Sequence, residues 1–334
     1  YSDFLQKYLL DYSIDLEASQ IRLNKYLVNH VIKQAGLPSI PSIELTDLKD
    51  YDVKKIDIEK IGFPLLIKPS ENTAANADIK IVDDQCELEC HIRHIMGSNN
   101  AYYSDQKINK IIIQKYLSHQ RFKEFAFDFM SYSGSHCCIG ILEYLKNHAA
   151  ILEGAYPRVV GEVTEIISVI GYVRRCLDAL DVKYGFTHVE VFWDAENKEY
   201  YLIEVNNRYA GIPATPCYKE SYPTGPLKQY FEFISSEGVT MEPYDRIGYS
   251  IVVLLYNFYV DFPKKLNLDG LHSTVGYKIY RAHTQKKLSK DFYQDNDLSS
   301  RVGAVIVLNS MNEKWLKEDY AILREREENG GLFV

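Results

Sequence analysis

No apolar run in this sequence is long enough to cross a bilayer. The longest, around Ile251 to Tyr256, falls far short of the roughly twenty residues that a membrane helix needs. The start carries no secretory apolar core either. Basic residues are too few to dominate: 38 Lys and Arg stand against 46 Asp and Glu, a formal net charge of −8. No basic tract and no basic–aromatic interleaving offsets that balance, which argues against a nucleic-acid or anionic-membrane partner. The six cysteines (Cys86, Cys90, Cys137, Cys138, Cys176 and Cys217) lack the spacing of a disulfide framework. Cys86, Cys90 and His94 recur at helical spacing with His91 nearby, so a zinc site is one reading, but no C-x-x-C pair accompanies it. Free thiols in a cytoplasmic protein are the other. Repeats and low-complexity tracts are absent. The chain begins at Tyr1 rather than Met, so residues ahead of it are expected to be missing or processed.

What is present is ordinary in bulk. At 334 residues, 46% hydrophobic and 25% charged, the chain suits a globular protein of two or three subdomains. Residues 1–37 read as helical, with stripes at Phe4, Leu5, Tyr8 and Leu9 and at Leu23, Tyr26, Leu27, Val31 and Ile32. Gly36 ends the second helix. Lys25 sits early in it, where most lysines are simply solvated. Residues 43–67 read as strand and short helix and end in an apolar run that puts Lys68 at the mouth of a buried strand. A buried ammonium is costly without a partner, and a phosphate oxygen would be one. The stretch 70–77 is small and polar, letting backbone N–H groups approach an anion, although it contains no glycine. A helix from Cys86 to Met96, a buried strand over 110–117 and an alternating strand from Phe122 to Phe129 follow. On that strand Glu124 shares a face with Phe122, Ala126 and Asp128. Further strands are expected at 137–145 and 149–153, and an amphipathic helix from Glu162 to Leu180. Pro213, Pro216, Pro223 and Pro226 suggest a loop-rich stretch. Three more strands and a helix from Glu313 to about Glu327 complete the chain.

The richest stretch is a hairpin from Tyr184 to Gly211. Alternation puts His188, Glu190 and Phe192 on one face of its first strand. On the second, Tyr201, Ile203 and Val205 are expected on an apolar face, with Leu202, Glu204, Asn206 and Arg208 on the other. A loop centred near Asn197 sets Glu190 across from Glu204. Opposed carboxylates repel, and a hard divalent cation held by oxygen ligands would compensate. Asn206 adds a neutral oxygen, and Arg208 a fork suited to phosphate or carboxylate. The competing reading is a solvated outer face of an antiparallel hairpin.

Together these residues resemble the ATP-grasp superfamily, from about residue 15 to the end. Asn24-Lys25 and Gly62-Phe-Pro-Leu-Leu-Ile-Lys68-Pro look like its two phosphate-lysine regions. Gln114, Lys115, Tyr116 and Leu117 look like the hinge along adenine. Glu124 resembles the ribose contact, Glu190, Glu204 and Asn206 the Mg2+ ligands, and Arg208 the arginine that steadies the reacting group. The phosphate loop departs from the family in being Ala/Asn rather than Gly, and Gln114 stands where an acid is common. The family's N-terminal domain, placed before residue 15, is expected to be mostly missing from this sequence. The resemblance implies an α+β ATP-grasp fold, with nucleotide held between a small α+β subdomain and a larger antiparallel-sheet subdomain. The implied segments are a helical remainder of the N-terminal domain at 1–50, the small subdomain at 51–117, the large one at 118–240, and a C-terminal extension packed on it at 241–334. The implied activity is a cytoplasmic carboxylate–amine ligase working through an acyl phosphate, with ATP and Mg2+ (or Mn2+) as cofactors. Its substrates would be small molecules such as amino acids, and a homodimer is compatible with it. Gly185-Phe-Thr-His188-Val-Glu190 looks most like the amino-acid ligase branch, where His188 would either contact phosphate or substrate, or be a buried hydrogen-bonded histidine. The loops 155–161, with Arg158, and 210–216 are expected to read the substrates. A bicarbonate-using carboxylase and a non-catalytic nucleotide-binding module are the alternatives.

Overall fold

The computed structural model describes residues 21–71, 79–99, 107–147, 151–162, 164–211, 214–236, 245–288 and 302–334. The expected helix before residue 21 and most of the glycine-free loop lie outside these. Helix α1 (Lys25–Gln34) starts at Asn24, whose Oδ1 accepts from the Leu27 N–H at 2.9 Å. It ends where Gly36 takes φ +73°, a conformation open to glycine at little cost.

A small antiparallel sheet follows, built from β1 (Ser42–Leu45), β2 (Leu65–Pro69), β3 (Lys80–Val82) and β4 (Ile111–Lys115) in the order β1-β4-β2-β3. Helices α2 (Leu48–Ile61) and α3 (Gln85–Ile95) cover one face. Leu65, Ile67, Ile111 and Ile113 bury there against Ile58, Leu88 and Ile92. Strand alternation turns Lys68 and Gln114 to the other face, Lys68 opposite Ile112 and Gln114 opposite Leu66. Cys86 and Cys90 on α3 are exposed free thiols.

The large sheet has eight antiparallel strands in the order β11-β12-β10-β7-β6-β5-β8-β9. They are β5 (Phe122–Tyr132), β6 (Ser135–Lys146), β7 (Leu152–Pro157), β8 (Gly185–Asp194), β9 (Glu199–Asn206), β10 (Tyr249–Tyr256), β11 (Thr274–Tyr280) and β12 (Val302–Ser310). The C-terminal segment thus supplies three strands of this sheet. One face packs Phe125, Phe127, Phe129, Val189, Val191 and Trp193 beneath α4 (Thr164–Ala179). α7 (Glu313–Glu328) covers Ile251, Val253, Ile306 and Leu308. On the opposite face, α5 (Ala214–Ser221) sets Tyr218 and Tyr222 over Ala126, Leu142 and Val252. Glu124, Glu190 and His188 share that second face.

Two expectations need correcting. The strand expected at 149–153 is β7, and it runs on to Pro157, so Ala155 to Pro157 are sheet rather than substrate loop. The proline-marked stretch holds α5 and α6 (Pro226–Ser235). Pro216 lies in the first turn of α5 and Pro226 opens α6, where a missing N–H breaks no intrahelical bond. No described helix is long and apolar enough to cross a membrane.

Candidate active site

The β8–β9 turn sets Asp194 opposite Glu199. Asp194 holds it, accepting from the Glu196 N–H at 3.0 Å and pairing with Arg121 at 2.6 Å. A regular ladder from that turn would put Ile203, not Glu204, opposite Glu190. A bulge intervenes: Val191 faces Leu202, and Glu190 faces Glu204. The expected opposition of the two carboxylates is therefore present. The bulge also corrects the side chains below it. Leu202 turns into the core instead of sharing the Glu204 face, and Tyr201, opposite Phe192, leaves the core face.

Different cations hold the two acids. Glu204 Oε1 lies 3.2 Å from Lys25 Nζ. Glu190 Oε1 lies 3.5 Å from His188 Nε2 and accepts from the Tyr144 hydroxyl at 3.4 Å. A third acid, Glu124, is buried and pairs with Lys146 at 2.6 Å. Burial, then the charges of Glu190 and Glu204, push its carboxyl up against Lys146. Burial also acts to raise Glu190, but the His188 hydrogen bond and charge, with Lys146 and Arg208, bring it below the usual range.

Lys68 looks onto the same acids from the small sheet. It is 5% exposed. Burial first, then the charge of Lys25, lowers its ammonium to about 8, while Glu204, Glu190 and Glu124 act the other way. Asn206 ends β9 with a buried side-chain nitrogen that has no hydrogen-bond partner among the described residues. Half a turn of the amide would present its oxygen instead. Arg208, just beyond, is exposed and donates to the Tyr209 carbonyl at 3.1 Å. Between α1 and β9 lies a cavity of about 160 Å³, lined by Arg22, Lys25, Ile203, Glu204, Asn206 and Asn207 among others.

His188 is a buried hydrogen-bonded histidine. Nδ1 lies 2.8 Å from Asp128 Oδ1, and Nε2 3.1 Å from the Tyr144 hydroxyl. Burial opposes its charge, but the Asp128 and Glu190 hydrogen bonds outweigh that and raise it to about 9. The Tyr218 hydroxyl donates to Asp128 Oδ2 at 2.8 Å. Its ring fits only because residue 140 is glycine: a Cβ there would stand 2.4 Å from Tyr218 Cζ.

The expected adenine strip is only partly free. Gln114 is buried on the Lys68 face. Lys115 Nζ instead donates to the Gly62 and Phe63 carbonyls at 3.0 and 2.9 Å. The backbone N–H groups of Lys115 and Tyr116 bond Pro41 and Pro64. Arg158, a candidate substrate contact, is paired with Glu143 through Nε at 2.7 Å. Sequence reasoning missed Tyr144, Lys146 and Tyr218. Alternation along β6 could have flagged the first two, but nothing local marks the third.

The donors suit a hard cation. Among the described residues no three His, Cys, Asp or Glu side chains gather to hold a metal ion. Mg2+, however, commonly takes only one or two carboxylates and completes its shell with water and substrate phosphate. Glu190, Glu204 and the Asn206 amide fit that pattern.

A small α+β sheet carrying a buried lysine, set over the acidic face of a large antiparallel sheet, is the ATP-grasp fold. Residues 61–216 match the ATP-grasp domain. D-alanine–D-alanine ligase of Bacillus anthracis is 26% identical over 100 residues, 30% of this chain and 29% of that protein. Biotin carboxylase of Haemophilus influenzae is 26% identical over 200 residues, 57% of this chain and 42% of that protein. The chain thus spans less than half the length of these curated relatives. The crystal structure of an L-amino acid ligase from Bacillus licheniformis superposes with a TM-score of 0.73 at 16% identity, covering 97% of this chain and 75% of that one. At that identity the likeness is one of fold.

Proposed function

We propose that this chain is an ADP-forming carbon–nitrogen ligase that uses ATP and Mg2+ to join the carboxylate of one small molecule to the amine of another, as amino-acid ligases do. One observation carries the reading: the β9 bulge sets Glu204 opposite Glu190, and Lys25 and Lys68 look onto that pair. Two like charges held face to face, with a costly buried lysine above them, favour a triphosphate and its cation as the ligand. Lys25 and Lys68 would hold phosphates. Glu190, Glu204 and Asn206 would hold Mg2+ or Mn2+, which when bound neutralises phosphate charge. The segment from Gln114 to Leu117 would lie along adenine. There the Leu117 N–H, unlike those of Lys115 and Tyr116, bonds no described backbone group. Glu124 would meet the ribose, released from or shared with Lys146. Arg208 would steady the reacting group, and His188 would hold Glu190.

In the reaction a carboxylate oxygen of the first substrate attacks the γ-phosphorus of ATP. The new O–P bond forms as the bond to ADP breaks, leaving an acyl phosphate. The amine of the second substrate then attacks the acyl carbon, giving up a proton and expelling inorganic phosphate. The protein's share is positioning and charge neutralisation.

ADP release across a panel of amino-acid pairs tests this. Glu204→Gln should lower turnover about 100-fold or more, and undiminished turnover in that variant would refute the reading. The likeness to biotin carboxylase keeps bicarbonate as a second acceptor. ADP release that needs bicarbonate and no amine would transfer the assignment to a carboxylase. Tight MgATP binding with no turnover would make the chain a binding module.

A further inference from the structure

Glu190 is supported by a residue two strands away. Tyr144 stands on β6, β6 pairs with β5, and β5 with β8. Its hydroxyl nevertheless reaches Glu190 Oε1 at 3.4 Å and His188 Nε2 at 3.1 Å. The residue on the strand between is Ala126, opposite Leu142 on one side and Glu190 on the other. It is fully buried, and Tyr144 packs against its cluster. A single methyl group leaves the phenol a path across β5. Behind His188 the contacts continue to Asp128 at 2.8 Å and from Asp128 to the Tyr218 hydroxyl at 2.8 Å. Four elements, β6, β8, β5 and α5, thus close one hydrogen-bonded chain that ends on Glu190.

We infer that Tyr144 is a positioning residue, which crosses β5 over Ala126 to hold the Glu190 carboxylate ready for a divalent cation. The inference rests on the function proposed above. A glutamate left alone samples several rotamers and loses that freedom on binding. A hydrogen bond made beforehand lowers the cost of ordering it. Removing such an outer partner of a ligating group typically weakens metal affinity 10- to 100-fold.

The test is Mn2+ titration of the full chain in the presence of ATP, with free Mn2+ read by electron paramagnetic resonance. Tyr144→Phe removes only the hydroxyl and should raise half-saturating Mn2+ about 10-fold or more. Its melting temperature in EDTA should stay near that of the wild type. Ala126→Val, which adds bulk beneath the phenol, should shift Mn2+ binding the same way. Tyr218→Phe, one step further back, should shift it less. Wild-type Mn2+ affinity in both Tyr144→Phe and Ala126→Val would overturn the inference and leave the ligase reading standing. Absence of ATP-dependent Mn2+ binding in the wild type would overturn both.

Discussion

Lys68 shows at the residue scale what burying a charge does to the fold. Its ammonium is buried and lowered to about 8, by burial first and by the charge of Lys25 second. A lysine whose folded pKa lies below its unfolded value costs the folded state in full when the pH is below both values. That cost fades as the pH rises from about 8 towards 10.5. Lys68→Met keeps the apolar stem and removes the charge. It should stabilise the protein by about 1–3 kcal/mol at pH 7, with the gain shrinking towards pH 10 in urea melts, while ADP formation falls. A loss of stability at pH 7 would mean that the ammonium is satisfied in the fold. The candidate residues of the hairpin were readable as polar groups: Glu190 on β8, and Glu204 and Asn206 on β9 with Arg208 just beyond, stand out by period-two alternation and by the loop position. Their outer partners were not. Asp128, Tyr144 and Tyr218 lie 60, 44 and 90 positions from the groups they bond, and nothing local to a sequence encodes such a separation.

Elements were legible where composition marks them. The helices at Lys25–Gln34 and Glu313–Glu328 and the strands of the last segment fall close to where capping residues and alternation put them. The β9 bulge left no mark, because one extra residue in a strand changes register without changing composition. The prolines of α5 and α6 suggested loop because their tolerance in a first turn depends on where the helix starts. Helix α7 also carries a testable pH response. Glu327 lies under β10, accepts from the Tyr256 N–H and pairs with Arg324 at 3.1 Å. Burial, assisted by the charge of Glu153, raises it to about 7 against the pull of Arg324 and that N–H. Between 4.5 and about 7 the folded protein keeps a proton that the unfolded chain has lost, so stability falls as the pH rises through that window. Glu327→Gln should flatten this fall. The difference in stability between variant and wild type should move in the variant's favour by about 2–3 kcal/mol between pH 4.5 and 8. Parallel pH curves from thermal melts would show that Glu327 is ionised throughout.

For the whole molecule, charged groups from separate elements converge on the acids of the large sheet: Lys25 at the head of α1 pairs with Glu204 on β9, and Lys68 on β2 looks onto the same acids. Ligand that bridges these groups binds the folded chain only, so it should raise the melting temperature. ATP with Mg2+ at 100 times its Kd should add about 2.7 kcal/mol. EDTA should remove most of that gain, whereas ATP without metal should give little. A melting temperature indifferent to saturating ATP and Mg2+ would overturn the proposal that these groups hold MgATP. By itself the sequence determined which residues carry charge, which strands alternate, and that two acids lie on the two arms of one hairpin, since these depend on spacing along the chain; the bulge that sets them opposite one another belongs to the structure. Only the tertiary structure decided which cations meet those acids, that His188 lies buried behind them, and that the last three strands complete the large sheet. Those outcomes depend on which distant strands pair and in what register, and that is settled by burying one face of the whole sheet at once.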